Sequence, residues 1–599
     1  MFLKKHLNLI IVSFLALIFF IGTASFNYLT QDQDYVKWSS PDETANYFFT
    51  KKFSDTGQLA FFDSAGVIGD NLLMPRSVRS DAGFIKPVSF LGITLVYGSL
   101  AAIIDPAIIP FLTPFFAALG VILFYLLVRR LFSERVGLWS AFLLAAFPVY
   151  VYYTVRSMFH NVLFLVFLIA GLYLFTLSLS RRGQKEEPLK KFFSWRLSSS
   201  QWRETVAAFL SGLSIGLALV TRTSELLWLA PTLFLLWLFY ARRLGFSKLI
   251  LLIAGLILTF IPIAYYNQIL YGSFWHGGYN EMNRSLEDIA QTGSAIWQFT
   301  WAGRFDHYRQ ALGRIFHQIF YFGFNPAQSG VMFQHYVLEM FSPLVFAGLF
   351  GLILLIVQNC RRFQKKYLAY ILAWLIASAL LVLYYGSWKF NDNPDLNSFT
   401  IGNSYTRYWL PLYLGLLPLA SLALVRVSRA LLFISGENVS RLRQIIVTGL
   451  QSAVILIYIA SSLLFVLYGS EEGLAYLYYN NLAERVNTEK VWSLTEPSAI
   501  IITRYYDKFF WPERRVIMGT IPNDEILAAI VKLVDFYPVY YYNFYLSEAD
   551  VAYLDARKLN VYGLDLRLIQ KLNAKFGLYK LEKASPAPVS PVANSYENQ

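Results

Sequence analysis

The sequence predicts a mainly α-helical protein: a polytopic transmembrane helical bundle of about eleven spans, with a small extracytoplasmic α/β domain at the C-terminal end. Of the 599 residues 56% are hydrophobic, 18% aromatic and only 15% charged, which is too apolar for an ordinary soluble protein. Apolar runs long enough to cross a bilayer, about 17 to 25 residues, recur through most of the chain. After Tyr468 the hydropathy falls, and short β-branched or aromatic runs alternate with helical patterns.

Eleven apolar runs have the length of a membrane span. The first follows Lys4-Lys5 as in a signal peptide, but it is longer than a signal-peptide core and many spans follow, so we interpret it as a retained signal anchor. The runs lie at residues 7–29, 110–128, 136–153, 162–180, 205–221, 226–241, 248–264, 341–358, 367–385, 409–425 and 444–468.

Basic clusters between the runs predict the orientation. The run at 88–104 is also apolar, but counting it as a span would move every later basic cluster outside. We therefore predict that 88–104 lies against the outer leaflet or dips into it. The N-terminus is then cytoplasmic and the C-terminus extracytoplasmic, in a cell (inner or plasma) membrane. Because the Lys and Arg residues serve as these topology signals, the net charge of +13 does not indicate nucleic-acid binding.

Three regions follow from this topology. Residues 1–468 form the predicted transmembrane domain, with a first outer loop at 30–109 that contains juxtamembrane helices and a long outer loop at 265–340. Residues 469–583 form the predicted α/β domain, and the Pro-containing residues 584–599 predict a disordered tail. Within the α/β domain we expect strands at 499–503, 515–518, 539–544 and 577–581, and helices at 524–536, 548–559 and 566–576.

Asp42 and Glu43 are the first candidate functional residues, because two adjacent carboxylates at the mouth of a span are costly unless they are used. Transfer of a group onto a hydroxyl or amine needs a base, and a carboxylate near a low-dielectric boundary suits that role. The alternative is structural: Pro41 and the two acids suit the N-terminus of a helix that we expect to begin at Thr44. The pair alone does not decide between the two interpretations.

Two cations on the outer face indicate an anion site. Lys86-Pro87 opens the apolar run 88–104, and a Lys at a helix N-terminus favours a bound anion unless it only snorkels to the interface. Arg407 lies in the segment Tyr405–Pro411 at the outer end of the tenth span, and its planar fork suits phosphate oxygens. The alternative there is an aromatic belt with one anchoring Arg. With the acid pair, the two cations favour an anionic lipid headgroup.

Further polar residues lie near the outer ends of other spans. Arg156, His160 and Asn161 open the fourth span and are candidate substrate-binding residues, although polar residues in bundles more often form interhelical contacts. Arg222 and Glu225 are expected to form a structural pair. The histidines show neither HxH nor HExxH spacing, so the sequence supports no metal site or other cofactor, and a divalent metal stays open.

The order of these features resembles the GT-C superfamily of membrane glycosyltransferases. The resemblance is to family 39 in particular, which includes the protein O-mannosyltransferases and the bacterial lipid A aminoarabinose transferases. The motifs that carry it span roughly residues 1 to 430, and they are Asp42-Glu43, Lys86-Pro87, Arg156 and Arg407-Tyr408 with Pro411. The chain departs from this pattern at three places: Val88 stands where a second Pro is usual, Ile85 where the aminoarabinose transferases have an acid, and His160-Asn161 where an Asp is expected.

The resemblance implies a GT-C type bundle and a glycosyltransferase that moves a sugar from a polyprenyl-phosphate donor to an acceptor on the outer face, with inversion. It implies that Asp42 is the base, with Glu43 as its partner. It implies that Lys86, Arg407 and Tyr405 bind the donor phosphate. The sugar, a hexose or a pentose, and the acceptor, a protein, lipid or glycan, are left open. The carboxylate and the two cations are expected to converge in one extracytoplasmic cavity.

Two other classes of function compete with this one. A lipid or solute transporter or flippase usually has polar or broken segments near the bilayer midplane and two related halves, whereas here the charged residues crowd one face and the halves look unrelated. A non-catalytic envelope scaffold would leave Asp42 without a chemical role. Only the enzyme would cleave a lipid-linked sugar.

Overall fold

The structure is a computed structural model that describes residues 2–31, 35–179, 199–278, 323–390, 392, 398–431, 441–469 and 472–584. Most of the predicted long outer loop, residues 279–322, and the predicted disordered tail from residue 585 onward lie outside the described residues. The chain divides into two compact units. One comprises Met1–Asp34, Phe49–Gly57 and Phe90–Asn480, and the other comprises Tyr35–Phe48, Gln58–Ser89 and Asn481–Gln599.

The first unit is a bundle of apolar helices. Within the part of the chain that the structure describes, nine helices are long and apolar enough to cross a membrane, or ten if a bent pair is counted as one span. The helices of this unit are Phe2–Thr30, Leu91–Ile103, Ile109–Leu131, Glu134–Ala146, Pro148–Val155, His160–Ser178, Ser199–Thr221, Leu226–Tyr271, Pro326–Phe333, Ser342–Arg361, Lys365–Gly386, Ser404–Tyr408, Leu410–Leu431 and Arg441–Tyr468. Two further helices, Pro41–Thr56 and Leu474–Leu494, have residues in both units.

All eleven predicted spans fall on these helices, but three of them are not separate, straight helices. The runs 226–241 and 248–264 share the helix Leu226–Tyr271, which breaks at Gly245, where φ is 71° and ψ is 164°. Only glycine adopts that conformation without strain. The run 136–153 is a pair of helices bent by 52°. The bend lies where Phe147, extended as residues before proline usually are, leads into Pro148.

The apolar run 88–104 forms the helix Leu91–Ile103, which has 13 residues. At 1.5 Å per residue it is about 20 Å long, less than the roughly 30 Å of a hydrocarbon core. It packs closely on the helix Ser199–Thr221: a Cβ added to Gly92 would lie only 2.4 Å from the carbonyl oxygen of Val220. Its length therefore agrees with the prediction that this run does not cross the bilayer.

The second unit contains two sheets. Strands β1 (Phe61–Phe62), β2 (Val78–Asp81) and β3 (Phe84–Pro87) form an antiparallel sheet in the order β1-β3-β2. Strands β4 (Ile500–Thr503), β5 (Arg515–Met518), β6 (Val539–Phe544), β7 (Leu564–Lys571) and β8 (Phe576–Lys583) form a mixed sheet in the order β5-β4-β6-β8-β7. The short helices of this unit are Ser64–Ile68, Asp507–Phe510, Asp524–Leu533 and Glu548–Leu554.

The five-stranded sheet has an aliphatic core that includes residues from the predicted first outer loop. Ile500 and Ile502 of β4 are fully buried, as are Leu527 and Ile530 of the covering helix. Ala65 belongs to the same core. Residues 35–48 and 58–89 therefore fold with residues 481–584. The predicted boundary between domains at residues 468 and 469 stays a prediction.

One predicted element of this unit is wrong. Residues 566–576 were expected to be helical, but residues 564–571 form β7, which pairs antiparallel with β8 through a register shift between Leu568 and Gln570. The leucines at 564, 566 and 568 alternate with polar residues, which is the period of a strand. The other strands and helices expected between residues 499 and 581 are present, within a few residues of their predicted ends.

Candidate active site

Asp42 and Glu43 lie in the first turn of the helix Pro41–Thr56. The helix therefore begins three residues before the position expected from the sequence, and both acids lie where a helix N-terminus stabilises negative charge. The Asp42 carboxylate is half-buried and accepts a hydrogen bond from the Ser77 hydroxyl. Glu43 is buried, with 1% of its surface exposed. Asp42 is thus the more accessible of the two carboxylates.

Ser77, which no sequence pattern marks, lies in a strained bend. Its φ of 64° is in the left-handed region, which residues other than glycine seldom adopt. Its neighbour Arg76 binds the buried carboxylate of Asp507, with the backbone N–H at 2.8 Å from Oδ2 and a terminal guanidinium nitrogen at 2.7 Å from Oδ1. The bend that contacts Asp42 is therefore tied to the C-terminal part of the chain.

Lys86 does not lie at a helix N-terminus, contrary to the expectation from the sequence. It is in strand β3, directly opposite Arg79 of β2, and the following helix begins only at Leu91. Its ammonium nitrogen forms an ion pair with Asp81 at 2.9 Å. Lys86 therefore lacks the position at a helix N-terminus from which a bound anion was predicted, and its role as a phosphate ligand stays a prediction.

Arg407 lies in the short helix Ser404–Tyr408, whose N-terminus is capped by the Asn403 side chain. Its guanidinium carbon is 4.3 Å from the ring centroid of Phe159 and 5.0 Å from that of Tyr408. One of its nitrogens donates to the Ser404 hydroxyl at 2.7 Å. The charged fork is therefore oriented by two rings and a hydroxyl.

Arg156 and Asn161 lie close to Arg407. The guanidinium carbon of Arg156 is 4.8 Å from the centroid of the same Phe159 ring. The Asn161 amide donates to the backbone carbonyl of Arg407 at 3.1 Å. The structure thus brings together two of the predicted cations, Arg156 and Arg407, and the amide that holds the backbone of one of them.

His160 and Tyr405 have mainly structural contacts. The Nε2 atom of His160 is 3.1 Å from the carbonyl oxygen of Phe90, and the residue is buried. Tyr405 is 2% exposed, its hydroxyl donates to the carbonyl of Trp388, and burial raises the pKa of its hydroxyl. The substrate-binding role predicted for His160 and the donor-binding role predicted for Tyr405 stay predictions.

Arg222 extends the group of arginines. It forms the expected ion pair with Glu225, at 2.8 Å between Nε and Oε1, which confirms the structural pairing predicted from the sequence. Its guanidinium carbon is also 4.6 Å from the Tyr408 ring, which the sequence could not indicate. We call Arg156, Arg222 and Arg407 with the rings of Phe159 and Tyr408 the arginine cluster.

The predicted site residues are distributed over both compact units. Asp42, Glu43 and Lys86 belong to the second unit, whereas Arg156, His160, Asn161, Tyr405 and Arg407 belong to the first. The convergence of the carboxylate with the cations stays a prediction. Among the described residues, no group of three or more His, Cys, Asp or Glu side chains could hold a metal ion.

Sequence comparison gives a match to part of the chain. The family model described as dolichyl-phosphate-mannose-protein mannosyltransferase matches residues 104–188, a segment that contains Arg156, His160 and Asn161. No curated protein matches the chain.

Structure comparison gives matches to nearly all of it. The oligosaccharyltransferase of Archaeoglobus fulgidus, in a crystal structure tethered with an acceptor peptide containing the NVT sequon, has a TM-score of 0.51 and 15% identity over 90% of this chain and 69% of that chain. ArnT from Cupriavidus metallidurans, bound to undecaprenyl phosphate, has a TM-score of 0.50 and 12% identity over 95% of this chain and 99% of that chain. At these identities the likeness shows a shared fold.

Proposed function

We propose that this chain, which has the fold of the GT-C glycosyltransferases, is a membrane glycosyltransferase that moves a sugar from a polyprenyl-phosphate donor to an acceptor on the outer face of the membrane. The observation that carries the proposal is the arginine cluster in the helical unit. The undecaprenyl phosphate in the ArnT structure supports the class of lipid, and the matched family model supports a sugar donor of the polyprenyl-phosphate type.

The arginine cluster suits a phosphate that is also the leaving group. Arg156 and Arg407 contact one ring, and Arg407 and Arg222 contact another, so the three guanidiniums form one connected group. Contact with a ring restricts the orientation of a guanidinium, and a guanidinium in a fixed orientation can donate to two phosphate oxygens at once. Such a site stabilises the negative charge that grows on the phosphate as the sugar departs.

Asp42 is the proposed base. In the transfer, the acceptor oxygen or nitrogen forms a bond to the anomeric carbon while the bond from that carbon to the phosphate oxygen breaks and its electron pair leaves with the phosphate. Asp42 takes the proton that the acceptor loses, and Glu43 supports it. Because the acceptor attacks from the side opposite the phosphate, the anomeric configuration is inverted.

The first prediction is that Asp42→Asn abolishes cleavage of the donor. Purified protein is incubated with radiolabelled polyprenyl-phosphate sugars and an envelope extract as the source of acceptor, and the release of polyprenyl phosphate is measured. Loss of a general base should lower kcat by roughly 100- to 10,000-fold. The matched control is Asp55→Asn, which changes an exposed acid on the same helix and should leave kcat unchanged.

The competing functions give different results in this assay. A transporter would move the lipid across proteoliposomes without cleaving it, and a scaffold would show no turnover at all. Cleavage that is equally fast in the wild type and in Asp42→Asn would contradict the role of the carboxylate.

A further inference from the structure

We infer that the residues connecting β4 to β5, 504–514, position the Asp42 carboxylate, and that Ser77 and Asp507 act as positioning residues for it. We call residues 504–514 the β4–β5 connection. The inference rests on the proposed function, because it assigns a role relative to the proposed base. It gives the C-terminal sheet a part in the chemistry without placing any of its residues against the substrate.

The first contact in this arrangement is the hydrogen bond from the Ser77 hydroxyl to Asp42 Oδ1. A carboxylate that accepts one fixed hydrogen bond presents its second oxygen in a defined direction. Ser77 holds its hydroxyl there at a φ of 64°, a left-handed conformation that is strained for a residue with a side chain. Strain of this kind persists where the surrounding structure enforces it.

The surrounding structure here is the ion pair between Arg76 and Asp507. Asp507 is fully buried and lies in the β4–β5 connection. It receives the backbone N–H of Arg76 and two guanidinium nitrogens, and the guanidinium also donates to the carbonyl of Tyr505 at 2.9 Å. The residue that immediately precedes Ser77 is thus held at both its backbone and its side chain.

The same connection also holds the start of the helix that carries Asp42. The Lys508 ammonium donates to the carbonyl of Ser39 at 2.6 Å, and the Thr44 hydroxyl is 3.4 Å from the carbonyl of Lys508. Further along, Lys37 donates to the carbonyl of Trp511 at 2.6 Å and pairs with Glu513. Contacts therefore reach the chain on both sides of Asp42.

These contacts fix the carboxylate from two directions. One set holds the chain around Asp42, through the side chains of Lys37 and Thr44 and the carbonyl of Ser39. The other set holds the Ser77 hydroxyl that binds the Asp42 side chain. A displacement of about 1 Å in a reacting group can reduce a rate by roughly 100-fold. The β4–β5 connection is placed to prevent such a displacement.

The decisive variant is Ser77→Gly. Glycine adopts a positive φ without strain, so the substitution removes the hydroxyl and leaves the bend intact. We expect kcat for donor cleavage to fall roughly 10-fold, as for the loss of one hydrogen bond to a charged group, while the KM for the donor stays within about two-fold. The matched control is Ala82→Gly, at a second residue with positive φ, which should change neither.

Asp507→Asn tests the connection itself. We expect the same pattern, a lower kcat with little change in KM for the donor, because Arg76 loses its charged partner. The control is Arg515→Gln, which removes another ion pair between the same two parts of the chain, with Asp63 at 2.8 Å, but touches no residue around Asp42. Thermal unfolding and kcat are measured for both variants. Both should lose stability, but only Asp507→Asn should lose kcat.

Double variants show whether Ser77 acts through Asp42. In the Asp42→Asn background, Ser77→Gly should cause no further loss, because the group it positions is gone. An additional 10-fold loss would overturn the positioning role. If Asp42→Asn is inactive while Ser77→Gly and a folded Asp507→Asn keep the wild-type kcat, the positioning role is wrong and the proposed function stands. If the wild-type chain cleaves no polyprenyl-phosphate sugar, the proposed function fails first, and this inference falls with it.

Discussion

At the scale of single residues, the contacts between guanidiniums and aromatic rings distinguish the arginine cluster from ordinary interfacial anchors. The Phe159 ring contacts Arg156 and Arg407, and the Tyr408 ring contacts Arg407 and Arg222. An anchoring arginine at a membrane interface needs only its charge near the headgroups. A phosphate ligand also benefits from a guanidinium whose motion is restricted, and each of these guanidinium carbons lies 4.3 to 5.0 Å from an aromatic ring centroid.

We therefore expect Arg407→Lys to weaken donor binding even though the charge is kept. Lysine is a compact point charge that neither lies flat on a ring nor binds two oxygens in one plane, so the affinity for a polyprenyl phosphate should fall roughly 10-fold. Binding is measured by titrating the purified variant with the lipid. Arg426→Lys, at an arginine that donates to the carbonyl of Leu354, is the control and should bind as the wild type does. Equal affinity in all three proteins would contradict the assignment.

Glu484 gives a prediction about pH. Burial raises the pKa of this carboxyl, and the Tyr506 hydroxyl at 3.3 Å offsets the effect only in part. The folded state therefore keeps the Glu484 proton to a higher pH than the unfolded chain does. As the pH rises above the pKa of this carboxyl in the unfolded chain, the free energy of unfolding falls. Glu484→Gln should therefore raise the melting temperature at pH 7.5 and leave it unchanged at pH 4, where the wild-type residue is largely protonated. A rise of equal size at both pH values would contradict this explanation.

Part of the candidate site could be found from the sequence at this scale. Asp42 and Arg407 stand out because charged residues beside apolar runs are unusual, and their chemistry suits transfer from a phosphate. Ser77 and Asp507 could not be found, because their partners lie 35 and 431 residues away and no local pattern marks either one. The sequence predicts a helix N-terminus at Lys86, because the strand that contains the residue is only four residues long and shows no clear alternation.

At the scale of elements, close helix packing depends on small residues whose position only the structure shows. A Cβ added to Gly212 would lie 1.8 Å from the carbonyl oxygen of Leu252, and one added to Gly255 would lie 2.3 Å from that of Phe209. The helices Ser199–Thr221 and Leu226–Tyr271 therefore approach backbone to backbone. The apolar runs predicted both helices but could not show which glycines lie between them.

We expect Gly212→Ala to destabilise the helical unit. The added methyl group must push the two helices apart, and overpacking of this kind costs roughly 1–3 kcal/mol. The control is Gly449→Ala in the helix Arg441–Tyr468, where an added Cβ meets nothing within 4 Å. That change should be neutral or slightly stabilising, because alanine is the better helix former. Thermal unfolding in detergent measures both, and equal melting temperatures would contradict the packing argument.

Helix ends and breaks were predicted less well than the helices themselves. Hydropathy locates an apolar run, and this sufficed for all eleven spans. It does not show that Gly245 leaves the helical conformation, or that Phe147 and Pro148 bend a span by 52°. The sequence predicts a helix at 566–576 where the structure has the strand 564–571, because the leucines of this strand, followed by Leu572, also fit a helical spacing over a short window.

At the scale of the whole molecule, the resemblance to the GT-C glycosyltransferases that the sequence indicated is confirmed. The motifs on which the resemblance rests lie in both compact units. The association of residues 35–48 and 58–89 with the C-terminal sheet was not predicted. Hydropathy and periodicity describe segments one at a time and contain no information about which distant segments fold together.

The single cysteine tests the predicted topology. Cys360 is exposed at the end of the helix Ser342–Arg361, next to Arg361 and Arg362, and the positive-inside rule predicts that it lies on the cytoplasmic side. We expect a membrane-impermeant maleimide to label it only after the cells are permeabilised. Phe536→Cys in a Cys360→Ser background should be labelled in intact cells, because Phe536 is an exposed residue of the predicted outer domain. The opposite pattern would overturn the orientation.

The most direct test of the central claim measures donor binding and donor cleavage on the same preparations of wild type and Asp42→Asn. If arginines hold the donor phosphate and Asp42 only deprotonates the acceptor, Asp42→Asn should bind a polyprenyl-phosphate sugar as tightly as the wild type. In a single turnover it should release polyprenyl phosphate at least roughly 100-fold more slowly. Loss of donor binding in Asp42→Asn, or cleavage at the wild-type rate, would contradict the account.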